Sequence, residues 1–340
     1  MNMHIHPLYV AISACDIVAL CLALGALSCR AWVAPAGPSY LDRPLWWLTG
    51  TGILALATSS AALLIGRTME MSGSPFTQSL TLLPAVLQHT RFGQIWLVRP
   101  AVLLALALFW WRGSHKHTPA NAIVMLVLVA VIAFTRSATG HPADMGQFTP
   151  AEWVDWIHLL AIGVWVGSLL SMVLVAFPAI FAARPGMDST LAIAERLSRL
   201  AGRALLAILV TGVVSARHYV VTLHNLTDTA YGRVLLVKLA FVAGAIALGA
   251  LNRYGILPQL RRAATAAATA APVAPVRLLA RAIRLEVLVL LGAVITAAVL
   301  LHAMPPSDMP QPAAGAHTSA AMTTHVVPAP RPVRTPTIPV

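Results

Sequence analysis

Acidic residues are scarce in this chain. Eleven Asp and Glu stand among 340 residues, and all charged residues together make up 10% of it, against roughly 25% in an ordinary soluble domain. So little charge cannot cover a water-exposed surface, which excludes an ordinary soluble fold. Cysteine is also sparse: Cys15, Cys21 and Cys29 carry no CxxC spacing, so neither a disulfide scaffold nor a zinc ribbon is supported. They read as small membrane-buried side chains. No Gly-rich phosphate loop of the Walker type and no DKTG-like phosphorylation motif is present, so any transport is not driven by ATP on this chain. No Ser/His/Asp or Cys/His arrangement supports a hydrolase, and the chain is not read as an enzyme.

What the sequence has in abundance is apolar length. Hydrophobic residues make up 58%, gathered into about eight runs at 8–29, 45–66, 93–111, 121–138, 154–181, 203–220, 233–252 and 285–303. Runs of this length match a bilayer-spanning helix. The fold class expected is therefore all-α, a polytopic integral membrane protein whose residues 1–305 form one helical bundle in the lipid bilayer. The third run is interrupted by Arg99 and Pro100, and the apolar stretch before it, 76–90, reads as an interfacial or re-entrant segment. The run beginning near Leu8 is preceded by MNMHIHP, with no Lys or Arg, so it reads as a retained first helix and not a cleaved signal. Residues 263–276, rich in Ala, Thr and Pro, read as a linker. Residues 306–340 read as a disordered Pro-rich periplasmic tail, too poor in large apolar residues to offset the entropy of ordering.

The formal net charge of +12 does not point to nucleic acid, because the basic residues fall in short gaps between apolar runs. Alternate gaps share them unequally. One side holds Arg30, Arg43, Arg112, Lys116, Arg184, Arg196, Arg199, Arg203, Arg253, Arg261, Arg262, Arg277, Arg281 and Arg284; the other holds Arg67, Arg91, Arg136, Arg217 and Arg233. The richer side is expected in the cytoplasm, which puts both termini outside, in the periplasm of a double-membraned bacterium.

With that topology, only His115 and His117 of the twelve histidines are cytoplasmic. The others lie at or toward the outer side, in company with several methionines. Imidazole and thioether together suit copper, while hard ions would want the carboxylates this chain lacks. The densest constellation runs from 140 to 170, GHPADMGQFTPAEWVDWIHLLAIGVWVGSLL. His141 and Met145 stand four apart in a loop, and Glu152, Asp155 and His158 recur every three residues along the helix that follows, with Trp165 two turns further down the same face. Asp155 is placed to orient His158, as carboxylates behind metal-bound imidazoles do. His141, Met145 and His158 are the leading copper ligands. Met3, His4 and His6, and His302 with Met304, are further candidates at the same side. Gly163 and Gly167 form a GxxxG spacing read as helix packing. Among intramembrane charges, Lys238 is the most interior and is assigned with Asp155, Trp165 and Glu286 to the pathway, although Arg217 and Glu286 stand near enough to helix ends to snorkel.

Several phrases resemble the copper resistance protein D (CopD) family of bacterial inner-membrane proteins: TRFGQIWLVRP at 90–100, WIHLLAIGVWVGSLL at 156–170, YGRVLLVKLAFVAGAIALGALNR at 231–253, and Arg281 to Pro305 with Glu286 and the closing His302-Ala303-Met304-Pro305. Gly167-Ser168 stands where the family pattern has two glycines. The resemblance implies copper handling across the inner membrane, in the direction of uptake from periplasm to cytoplasm, with copper as the substrate and a periplasmic copper-binding protein of the CopC kind as partner. The alternative is a b-type haem electron carrier, with His158 and either His218 or His302 as axial ligands.

Overall fold

The computed structural model describes residues 7–34, 39–113, 119–140, 148–219, 225–266 and 273–303. All regular structure within them is helical. The first apolar run forms α1 (Pro7–Ser28), which winds on through a π-type turn to Val33. Then come α2 (Ser39–Ser72), the shorter α3 (Phe76–His89), α4 (Arg91–Trp96) and α5 (Val98–Gly113). The stretch expected as an interfacial or re-entrant segment is α3, which leaves Phe76, Leu80 and Leu82 exposed. The chain loosens at Leu97, between α4 and α5, because the Pro100 ring has no N–H to donate to the Trp96 carbonyl.

The second half begins at α6 (Pro119–Ser137) and α7 (Pro150–Ser171). α7 runs through a second π-type segment, Met172–Ala176, into α8 (Phe177–Ala183). The Thr149 hydroxyl caps α7 by accepting from the Glu152 amide, and Pro150 occupies the first turn, where a missing N–H costs nothing. α9 (Met187–Tyr219), the single turn α10 (Asn225–Asp228) and α11 (Ala230–Ala250) follow. α11 passes through a third π-type segment, Leu251–Ile256, into α12 (Leu257–Ala266), and α13 (Val273–Leu300) closes the bundle.

Among the described residues, seven helical stretches are long and apolar enough to cross a membrane: Pro7–Val33, Tyr40–Ser72, Arg91–Gly113, Pro150–Ala183, Met187–Arg217, Ala230–Thr265 and Ala274–Leu300. The remaining expected run, 121–138, is the shorter apolar helix Asn121–Ser137. At about 1.5 Å per residue, the 19 residues of α6 reach about 28 Å, close to the roughly 30 Å of a hydrocarbon core. Two helices start well before their apolar runs: α9 at Met187 and α13 at Val273, so the described ends of the expected linker 263–276 are helical.

α1 is the centre of the bundle and packs on both α2 and α7. The approach to α7 is possible only because both helices carry glycine there. A Cβ on Gly25 would collide with the Gly167 backbone, and one on Gly167 with the Cys21 carbonyl. One buried cluster gathers the α1–α7 seam with α9 and α13, and another joins α1 to α2, α5 and α6. Cys21 and Cys29 are buried within the seam, whereas Cys15 is exposed.

Candidate functional site

The three polar residues spaced along α7 reach three different neighbours. Glu152 is buried and pairs with Arg91 of α4 at 3.1 Å. Asp155 accepts from the Ser137 hydroxyl at the end of α6 at 2.6 Å. His158 Nδ1 meets Thr211 Oγ1 of α9 at 2.8 Å. Thr211 is thus a partner of the His158 ring, and Ser137 of α6 is a partner of Asp155. One face of α7 thus ties α4, α6 and α9 together at a single end of the bundle.

The Thr211 contact also decides the state of the imidazole. Thr211 donates its own hydroxyl hydrogen to the Ala207 carbonyl at 2.6 Å, so toward His158 it can only accept. With that hydrogen committed, His158 carries its own hydrogen on Nδ1 and its lone pair on Nε2. A neutral imidazole with one nitrogen anchored and the other open is the form that binds a soft or borderline metal.

Lys238 on α11 is half-buried and acts electrostatically on both Asp155 and His158. Trp165, two turns below His158, is buried and lines the same cavity as Glu286 of α13. Glu286 does not snorkel: it is 3% exposed and accepts from Asn252 Nδ2 at 2.7 Å. His302, just past the end of α13, has Nε2 at 3.0 Å from the Ser13 hydroxyl of α1. His141, Met145, Met3, His4, His6 and Met304 lie outside the described residues, as does the tail 306–340. Among the described residues no group of three or more His, Cys, Asp or Glu comes together to hold a metal. Of the haem alternative's histidines, His158 and His302 each have a hydroxyl partner, and the His218 side chain lies outside the described ones.

A second polar cluster sits in the interior and was not among the expected site residues. Asp16 of α1 is fully buried and accepts from Ser59 of α2 at 2.8 Å, from Arg99 of α5 at 3.4 Å, and from Arg136 of α6. The Arg99 guanidinium lies over the Trp96 ring, 4.3 Å from its centroid, which compensates part of its lost hydration. The signal in the sequence is Asp16 itself, the one acid within the first apolar run. Because Arg136 holds Asp16 and its neighbour Ser137 holds Asp155, the interior cluster and the α7 site share one helix end.

The family profile described as "Copper resistance protein D" matches residues 191–300, and the one described as "Copper resistance protein D-like, N-terminal domain" matches residues 3–148. The chain is 26% identical over 233 residues to "Copper resistance protein D" of Pseudomonas syringae pv. tomato, covering 65% of this chain and 71% of that one. It is 27% identical over 178 residues to "Copper transport protein CutJ" of Bacillus subtilis (strain 168), covering 50% of this chain and 32% of that one. It is 26% identical over 260 residues to "Inner membrane protein YebZ" of Escherichia coli (strain K12), covering 75% of this chain and 86% of that one. No solved structure matches. With both family profiles matched in order along a multi-span helical chain, the protein belongs to the copper resistance protein D family of membrane proteins.

Proposed function

We propose that the protein carries copper across the bacterial inner membrane from periplasm to cytoplasm and so serves copper homeostasis and resistance. The observation that supports this reading is the His158 imidazole, anchored at Nδ1 by Thr211, on the helix that follows the sequence segment bearing His141 and Met145. Copper arriving from a periplasmic carrier of the CopC kind is taken by His141 and Met145 and passed to His158 by ligand exchange. Trp165 and Glu286 line the way below. Soft and borderline donors exchange copper readily, and no change of oxidation state is needed for this transfer.

The same reading places both termini in the periplasm, with α6 crossing the membrane as the eighth span. Support comes from the distribution of basic residues and from the meeting of α6, α7 and α9 at one end. The deciding experiment is uptake of isotopically labelled copper by cells with and without this protein. Uptake that rises with the protein, and falls in His141→Ala and His158→Ala variants present at normal levels in the membrane, is the expected result. Unchanged uptake in both single variants and in the double variant would remove these residues from the pathway.

A further inference from the structure

Glu286 lines a partly open cavity of about 300 Å³ between α7, α9, α11 with its π-type segment, α12 and α13. Most of the lining is apolar, contributed by residues such as Leu169, Leu197, Leu205 and Ile283. The polar end is small and specific. Asn252 Nδ2 donates to Glu286 Oε2 at 2.7 Å, and Trp165 lines the same cavity. The Asn252 Oδ1 atom is buried beside them with no hydrogen-bond partner. Gly249 makes room at this point, since a Cβ there would lie 3.3 Å from Glu286 Oε1.

Two features mark this end as incomplete. Among the described residues Glu286 has no ion pair, although a carboxylate removed from water ordinarily requires a compensating positive charge. An amide oxygen with an unused lone pair sits next to it. Both deficits have the same sign, and one bound cation answers them together. The other titratable or charged groups lining the cavity are Arg253 and Tyr254, both from the π-type segment. Arg253 has other partners in the lining: its Nη1 donates to the Ser198 carbonyl at 3.5 Å, its guanidinium lies 5.9 Å from the Tyr254 ring centroid, and it forms no ion pair with Glu286 among the described residues. The described lining residues of α7, α9, α12 and α13 other than Glu286 bring no charge. The segment Leu251–Ile256 that presents Asn252 is itself π-type, a local widening of the helix that recurs at ligand sites.

We propose that Glu286 and Asn252 form a binding site for a monovalent cation, a proton or a sodium ion, whose movement drives copper transport. The coupling half of this statement rests on the copper-transport reading above; the binding half does not. Copper is a poor occupant, because an oxygen-only donor set favours hard cations. Trp165 links the two sites. It lies two turns below His158 on α7 and shares the cavity lining with Glu286, so occupation of the carboxylate changes the surroundings of a residue on the copper path.

The full-length protein in liposomes separates these possibilities. Copper accumulation is measured under an imposed pH gradient and, separately, under an imposed sodium gradient, for wild type and for Glu286→Gln. Gln preserves the shape and the contact with Asn252 while removing the charge. The expected result is that one gradient drives accumulation by wild type and that E286Q accumulates no more than protein-free liposomes under either gradient. The effective gradient names the cation. Binding is read independently from Trp165 emission, isolated as the difference between wild type and Trp165→Phe, during proton and sodium titrations. That emission should respond in wild type, respond more weakly in Asn252→Ala, and stay flat in E286Q. Wild-type accumulation by E286Q, or an unaltered Trp165 response in it, overturns the proposal. If no variant moves copper, the transport reading fails while the Trp165 titration still decides the site.

Discussion

Asp16 of α1 and Arg136 of α6, 120 residues apart in sequence, form an ion pair inside the helical bundle, and Arg99 of α5 approaches the same carboxylate oxygen. Asp16 is fully buried and Arg99 is 1% exposed. One carboxylate therefore holds two guanidinium groups away from lipid and fastens α1, α5 and α6 at a common point. Removing it would strand both cations, and breaking a buried pair in this way costs about 3–5 kcal/mol.

Asp16→Asn should accordingly lower the amount of protein inserted in the membrane and the midpoint of its thermal unfolding in detergent. Arg136→Gln alone should also destabilise. Combining the two should recover part of the loss, because the double change removes a charge of each sign and the residues are in direct contact. A D16N protein as stable as wild type would show that Asp16 is not what holds the three helices.

The α1–α7 crossing gives a second expectation. Gly25 and Gly167 stand where any side chain would enter the opposite backbone, so Gly25→Ala must push the helices apart. Overpacking of this kind costs about 1–3 kcal/mol. Gly186, with nothing within 4 Å of its Cβ position, is the matched control. Thermal unfolding of G25A and Gly186→Ala side by side should separate them, and equal midpoints would contradict the tight crossing.

The helices are legible in the sequence because bilayer length and apolar composition set them directly. Their ends are less so. α9 begins at Met187, since an amphipathic, Arg-bearing stretch continues the helix beyond the apolar run that marks its span. The GxxxG pair on α7 is legible as a packing site, but its partner, Gly25 of α1, is chosen by the tertiary fold. At the site, periodicity places Glu152, Asp155 and His158 on one face and stops there. It assumes that neighbours on a face serve each other, whereas Asp155 and His158 turn outward to α6 and α9. Asp16 shows the complementary limit: its cost in lipid is readable, but Arg136 reads as a loop charge until α6 and α1 pack together.

Topology is open to a direct test. Seven full-length spans together with α6 form an even set, so a reporter fused after Val340 should be active outside the cytoplasm, and one placed between Gly113 and Pro119 should be active inside it. Removal of residues 306–340 should leave the quantity of inserted protein unchanged, because that stretch is poor in large apolar side chains. A fusion at Val340 active only in the cytoplasm would break either the span count or the orientation.

The sharpest expectation at the proposed copper site concerns Thr211, which touches no metal in the proposed pathway and would act by positioning His158. Its hydroxyl accepts from Nδ1 because its own hydrogen is committed to the Ala207 carbonyl. Valine at 211 preserves the shape but offers no acceptor, so the Nδ1 hydrogen loses its partner and the ring is free to turn or to shift its hydrogen to Nε2. Either change withdraws the lone pair that copper needs. Loss of such a supporting hydrogen bond typically weakens metal binding by about 10–100-fold. Thr211→Val should show a loss of that order in competition with a chromophoric copper chelator, with normal amounts of protein in the membrane. Thr211→Ser, which restores the hydroxyl, should bind close to wild type. A merely structural role for Thr211 would move unfolding temperature in both variants without separating their copper affinities.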